Sequence, residues 1–292
     1  MRECILIPLL KTANMEVQIS LCHFLLLVAS TVLISAGGYA INDYFDRKID
    51  IINKPENRVV GIHVFPRHAM AWHMVLTVTG IILGSYVAIR TGQAYLSLIF
   101  FMVSGLLWFY STTYKRDILL GNIIVALLTG LVPLLVIIFE LPLISREYGA
   151  PYREISRHIG LWVSGFAFFA FMINLIREIV KDAQDYEGDL TYGKSTIPVA
   201  WGTKVARMIS VGLVLVTIVL IFHSWNRFIT NYISLIYLSV TVVLPLFTVI
   251  YYLVGNDNKR SYARANLILK IIMITGMLYA VVANLVLNHL VK

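Results

Sequence analysis

Eight apolar runs, each long enough to cross a bilayer as a helix, constrain this chain more than any other feature. They cover approximately 19–41, 69–89, 94–112, 118–139, 159–180, 206–223, 231–254 and 266–289. A hydrocarbon core of roughly 30 Å takes about 20 helical residues to cross. Inside it every backbone amide and carbonyl must pair within the protein, which leaves only helices and closed barrels. A barrel would show strands of about ten residues with alternating polarity, and the chain has none. The predicted fold is therefore all-α: a polytopic transmembrane helical bundle with eight full spans. Residues 4–10 make a ninth apolar stretch, too short to cross alone. Composition agrees: only 14% of the 292 residues are charged, whereas a soluble domain needs roughly a quarter.

Charge placement sets an orientation. Putting the 42–68 loop in the cytoplasm and alternating the spans places sixteen of the 24 Lys and Arg residues inside, as the positive-inside rule requires. The net charge of +8 thus reads as topology rather than nucleic-acid binding. Cys4 and Cys22 make neither a disulfide framework nor a metal-ligand spacing. Met1 leads into about seven apolar residues with no small-residue cleavage site, so no signal peptide is expected. One transmembrane domain over 1–292 is the predicted organisation, and nothing in the sequence bears on oligomeric state.

The acidic residues carry the chemistry. Nine of sixteen lie in two short stretches: Asp43, Asp46, Asp50 and Glu56 in one, Glu178, Asp182, Asp185, Glu187 and Asp189 in the other. Both begin at the cytoplasmic end of a predicted span, where carboxylates are costly and usually functional. Asn42, Asp46 and Asp50 are spaced to share one face of a helix, as are Asp182 with Asp185, and Asp185 with Asp189 if the helix continues past Gly188. Stacked carboxylates repel, and a divalent cation removes that penalty. Mg²⁺ takes few protein carboxylates and completes its octahedron with water and substrate phosphates. Two such faces suit two Mg²⁺ on one diphosphate. A solvated helix end is the plain alternative for either motif alone. The calcium-loop pattern fits neither stretch.

Cations surround both motifs: Lys54 and Arg58 near the first, Arg177, Lys181 and Lys194 near the second, and Tyr110, Tyr114, Lys115 and Arg116 at the end of another inner span. Arg suits bidentate and Lys point-charge contact with phosphate. Arg58, Lys115, Arg177, Lys181 and Lys194 are the candidate diphosphate ligands, with Tyr110 beside them. Arg67, Lys259 and Arg260 read as interfacial anchors. Asn174, polar within a span, is expected to hydrogen-bond inside the bundle.

At these residues the chain resembles the UbiA-type superfamily of intramembrane prenyltransferases. That resemblance implies nine transmembrane helices, an Asn-x-x-x-Asp-x-x-x-Asp motif matched by Asn42, Asp46 and Asp50, and an Asp-x-x-x-Asp motif matched by Asp185 and Asp189. A Tyr-x-x-x-Tyr-Lys element is matched by Tyr110, Tyr114 and Lys115. The run from Asn42 to Pro55 is similar to the branch that holds digeranylgeranylglyceryl phosphate synthases, chlorophyll synthases and homogentisate prenyltransferases. The stretch from Arg177 to Asp189 is most similar to the first of these groups. Where aromatic-acceptor quinone enzymes more often carry Arg-Thr-x-x-Arg-Pro, this chain reads Lys54-Pro55-Glu56-Asn57-Arg58-Val59. Against nine family helices, residues 1–12 are expected to be the remnant of a first helix.

The resemblance implies Mg²⁺-dependent transfer of a polyprenyl group, geranylgeranyl in the favoured reading, from its diphosphate to a lipid-like acceptor, favoured as geranylgeranylglyceryl phosphate. Asn42, Asp46, Asp50, Asp182, Asp185 and Asp189 are the expected metal ligands. Asp46, Asp50, Asp185 and Lys115 are the expected catalytic set. Tyr44, Phe45, Tyr110 and Tyr186 are positioned to shelter an allylic cation. An aromatic or tetrapyrrole acceptor is the alternative within the same fold. A cation-coupled transporter is the alternative outside it, disfavoured because the carboxylates lie at helix ends rather than at the membrane midplane.

Overall fold

A computed structural model describes residues 1–56, 58–149, 151–255 and 257–290, with side chains through Val286. Asn57 of the loop after the first motif and Lys292 of the outer cations lie outside the described residues. Among these residues eight helices are long and apolar enough to span a membrane. The sole extended pairing among them is one isolated bridge, Val60 to Val64.

In chain order the α-helices are α1 (Ile7–Thr12), α2 (Leu21–Asp46), α3 (Asp50–Asn53), α4 (Pro66–Arg90), α5 (Ser97–Thr112), α6 (Leu120–Tyr148), α7 (Tyr152–Gln184), α8 (Tyr186–Thr191), α9 (Ile197–Trp201), α10 (Thr203–Ser224), α11 (Tyr232–Leu238), α12 (Leu244–Gly255) and α13 (Lys259–Leu290). A π-turn at Trp225–Ile229 extends α10, and another at Ser239–Val243 joins α11 to α12 in one span. Several helices outrun their apolar cores. Hydropathy reads only the lipid-facing length, while polar flanks such as Arg153, Glu154 and Arg157 remain helical on backbone hydrogen bonds.

The chain forms two compact units. One comprises Ile19–Val125 and Asp185–Val199. Its α2 and α4 approach closely because small residues face each other. Ser30 donates to the Gly80 carbonyl at 2.6 Å. A Cβ on Gly37 would meet Thr77 Oγ1 at 2.4 Å. Buried His73 bonds through Nδ1 to the Gly37 carbonyl at 2.9 Å. Ser20 caps α2 by accepting from the His23 amide, and Pro66 opens α4 where a missing amide proton costs nothing.

The other unit comprises Met1–Gln18, Ala126–Gln184 and Ala200–Lys292. Its main core is built from α7, α10, α12 and α13, with Ile176, Val214, Leu246, Val249 and Leu269 buried together. Residues 2–12 pack into a second core rather than lying on a surface: Ile5, Leu6, Leu9 and Leu10 are buried with Ile144, Ile159, Val163 and Ala283. The break before α12 has a local cause. Pro245 has no N–H for the Thr241 carbonyl four residues back, and Thr275 of α13 donates to that carbonyl instead, at 3.0 Å.

Candidate functional site

The expectation that Asn42, Asp46 and Asp50 ride one continuous helix is corrected here. α2 ends at Asp46, residues 47–49 form a turn, and Asp50 opens the separate α3. Asp50 pairs with Lys54 at 3.7 Å. The second motif is also interrupted. α7 stops at Gln184, and Asp185 takes a turn conformation, φ −95° and ψ 9°. Asp182 therefore belongs to the last turn of α7. Asp185 and Asp189 do share a helical turn, since the Asp189 amide donates to the Asp185 carbonyl at 3.1 Å.

Within the unit built on α2, α4 and α5, the two motifs converge. Lys115 lies in a 3₁₀ turn, Tyr114–Arg116, just past α5. Its ammonium donates to Asp46 Oδ1 at 2.7 Å and to Asn42 Oδ1 at 3.3 Å. Lys194 Nζ stands 2.9 Å from Asp189 Oδ1 and 4.0 Å from Asp46 Oδ1. A single ammonium thus reaches a carboxylate of each motif, across more than a hundred intervening residues. Asp185 and Asp189 are both buried, and Thr196 Oγ1 lies 3.5 Å from Asp189 Oδ2.

Three further contacts, none of them anticipated from the sequence, hold this geometry. Buried Asn53 accepts from the Gly188 amide through Oδ1 at 3.0 Å, tying α3 directly to α8. A Cβ on Gly188 would fall 2.3 Å from that oxygen, so only glycine permits the approach. The Ser195 amide donates to the Arg116 carbonyl at 2.9 Å, joining the Lys194 loop to the Lys115 turn. Gly121 does the same service for α6, since its Cβ would meet the Tyr114 carbonyl at 2.7 Å. Neither Asn53 nor Gly188 carries a local sequence signal, since what matters in each is a contact with a distant segment.

Arg58 has a buried Nε with no hydrogen-bond partner in the structure. Tyr110 is half-buried on α5. Of the aromatic candidates, Phe45 stacks edge-on with Tyr44 at 5.2 Å and with Trp108 at 6.0 Å. Arg47 lies over the Tyr44 ring at 5.0 Å, so that ring already has a cation on one face. Arg177 and Lys181 belong to the other unit, where both contact Glu178.

No three His, Cys, Asp or Glu side chains converge as a ready-made metal cage among the described residues. The candidate donors are instead an amide oxygen and carboxylates, those of Asn42, Asp46, Asp185 and Asp189. That set fits a hard cation sharing its shell with phosphate oxygens, as Mg²⁺ does, better than an all-protein site. Lys115 and Lys194 add two positive charges beside these donors.

Comparison with known proteins places the chain in a family. The family model described as the UbiA prenyltransferase family matches residues 12–285. The digeranylgeranylglyceryl phosphate synthase of Methanosphaera stadtmanae is 30% identical over 279 residues, covering 93% of this chain and 88% of that one. The enzyme of the same name from Thermococcus kodakarensis is 32% identical over 256 residues, covering 86% and 82%. Among solved structures, a UbiA homolog from Aeropyrum pernix K1 shares the fold with TM-score 0.64 and 17% identity, covering 94% and 96%. A UbiA homolog from Archaeoglobus fulgidus, bound to DMAPP and Mg²⁺, does so with TM-score 0.54 and 16% identity, covering 95% and 94%.

Proposed function

We propose a specific reaction from one premise: this chain belongs to the UbiA prenyltransferase family and is a multi-pass membrane prenyltransferase. The reaction is transfer of a geranylgeranyl group from geranylgeranyl diphosphate to the hydroxyl of geranylgeranylglyceryl phosphate. Two similar enzymes carry the name of the synthase for that product, and the observation that supports the reading most is the meeting of Asp46 and Asp189 on Lys194.

Asn42, Asp46, Asp50, Asp185 and Asp189 would hold Mg²⁺, which when bound supplies charge neutralisation to the diphosphate. Lys115, Lys194 and Arg58 bind the diphosphate oxygens and stabilise the negative charge that builds as the allylic C–O bond breaks. The leaving diphosphate takes the electron pair. The acceptor oxygen then forms the new C–O bond and gives up its proton, leaving an ether. Phe45 and Tyr110 are the rings assigned to shelter the electron-poor allylic carbon, with exclusion of water protecting it from capture. Both motifs lie on the cytoplasmic side, the arrangement that collects sixteen of 24 cations inside.

Purified enzyme in lipid nanodiscs with Mg²⁺ and labelled geranylgeranyl diphosphate tests this. Ether formation with geranylgeranylglyceryl phosphate, with release of one diphosphate per product, is the expected result. Turnover of an aromatic acceptor, with none of the glyceryl phosphate, would overturn the acceptor.

A further inference from the structure

The loop between α3 and α4, on the face of the first motif, exposes a patch of apolar side chains. Residues 58–68 read Arg-Val-Val-Gly-Ile-His-Val-Phe-Pro-Arg-His, with two arginines, two histidines and no acid. Val59 and Ile62 are each 50% exposed and Phe65 is 65% exposed. Single exposed apolar residues are ordinary, but three within seven positions make a patch that something other than water is expected to cover.

The loop closes on itself, so the patch has a fixed shape. The Val59 carbonyl accepts from the His63 and Val64 amides, each at 3.0 Å, and the Gly61 amide donates to the Val64 carbonyl at 2.8 Å. Gly61 makes the turn with φ +96°, a conformation that a side chain disfavours. Buried Val60 fixes the turn to the protein, while Val59 before it and Ile62 after it stay exposed. Phe65 ends the loop and Pro66 opens α4. The Arg67 guanidinium carbon lies 5.4 Å from the centre of the Phe65 ring, and the His68 ring meets that ring edge-on at 5.8 Å.

The helix that follows sets the depth of this patch. α4 has 25 residues, about 37 Å of helix against a hydrocarbon core of roughly 30 Å. Its first turn therefore stands among lipid headgroups, and the loop that leads into it stands at the same level. Aromatic rings and arginines are the residues that a membrane interface favours, and apolar side chains beside a cation suit the boundary between acyl chains and anionic headgroups. We infer that the 59–65 loop is an interfacial anchor. Val59, Ile62 and Phe65 enter the leaflet on that face, and Arg67 pairs with an anionic phospholipid headgroup beside them. The anchor holds α3, which carries Asp50, at the membrane surface, whichever acceptor the enzyme uses.

Fluorescence quenching on the full chain in lipid nanodiscs tests it. Ile62→Cys and Val59→Cys, each in a Cys4→Ser, Cys22→Ser background, are labelled with bimane, so that the test survives if one variant fails to fold. Phosphatidylglycerol or phosphatidylcholine bearing a nitroxide high on the acyl chain is added at equal mole fraction, and iodide serves as the quencher carried by water. The expected result is quenching by the nitroxide lipid at both positions. It should be at least about twofold stronger for phosphatidylglycerol, since one surface cation enriches anionic lipid roughly fivefold. Arg67→Gln should erase that preference and leave quenching by phosphatidylcholine in place. Bimane quenched by iodide and not by lipid would put the loop in water and overturn the anchor. Bimane shielded from both would put it against protein, another segment of this chain or a second copy, and overturn the anchor equally. Equal quenching by the two lipids, or a preference that survives Arg67→Gln, would overturn the headgroup contact.

Discussion

Asp46 sits where three kinds of interaction meet: the end of α2, the ammonium of Lys115 and, at longer range, that of Lys194. Exchanging it for asparagine keeps the shape but removes the anion that a cation and a lysine both need. Asp46→Asn and Asp185→Asn are expected to lower diphosphate release at least about a hundredfold, the scale of losing a residue that organises transition-state charge, with the protein still monodisperse in detergent. Near-normal rates at ordinary Mg²⁺ would refute their assignment to the metal. Gly188 offers a subtler test. Gly188→Ala puts a methyl into Asn53 Oδ1 and is expected to part α3 from α8. Activity should fall together with a raised Mg²⁺ requirement, read from a titration of rate against the ion. Asn53→Ala, which removes the bond without introducing a clash, should give the milder defect. Both motifs and Lys115 could be picked out from residue type and spacing, because carboxylates and cations near hydrocarbon are conspicuous. Asn53 and Gly188 could not, because their importance lies in a contact between distant segments that no local pattern encodes.

The helices themselves were legible where lipid imposes a length and illegible where polar chemistry ends them. All eight spans appear in the apolar runs, yet the turn at 47–49 and the stop after Gln184 do not, since hydropathy has no view of a charge-bearing helix end. Two element-level contacts give testable consequences. Thr275 donates to the carbonyl that Pro245 leaves open, so Thr275→Val leaves a part-buried acceptor unmade. A loss of about 1–3 kcal/mol is expected, measured as a lowered unfolding midpoint in detergent, with Thr275→Ser close to wild type. The second contact joins the starts of α10 and α13. Asp257 accepts from Thr203 at 2.9 Å, from Tyr262 at 2.5 Å and from Arg207 at 3.2 Å. Burial alone would push its carboxyl up, but the Tyr262 and Thr203 hydrogen bonds and the Arg207 charge outweigh that and hold it below the usual carboxylate range. A depressed folded value stabilises above the ordinary carboxylate pKa of about 4 and is lost as pH falls through the folded value. Wild type should therefore exceed Asp257→Asn in thermal midpoint at neutral pH, modestly for a pair this exposed, and the gap should close in acid.

At the scale of the whole molecule, the alternation of spans makes the orientation testable apart from any chemistry. The turn at 47–49 and the loop before α13 are separated by six intervening spans plus the connecting loops, an even number, so they must open on the same face whichever face that is. The connection between α6 and α7 is separated from the 47–49 turn by three spans, α4, α5 and α6, and must open on the other. Hydropathy fixes this parity, while lysine and arginine bias fixes only its absolute sense. Cysteines placed at Lys48, Arg260 and Arg157 in a Cys4→Ser, Cys22→Ser background can be labelled in sealed cells with an impermeant maleimide. Positions 48 and 260 are expected to stay protected until the membrane is opened, and position 157 to react at once. Reaction of 48 with 260 from outside would invert the orientation but keep the parity, and would put the diphosphate chemistry on the face away from the cytosol. Splitting 48 from 260 would break the parity and show that one of the eight apolar helices does not cross. The two failures fall on different links of the argument, the first on charge bias and the second on reading length and apolarity as a crossing.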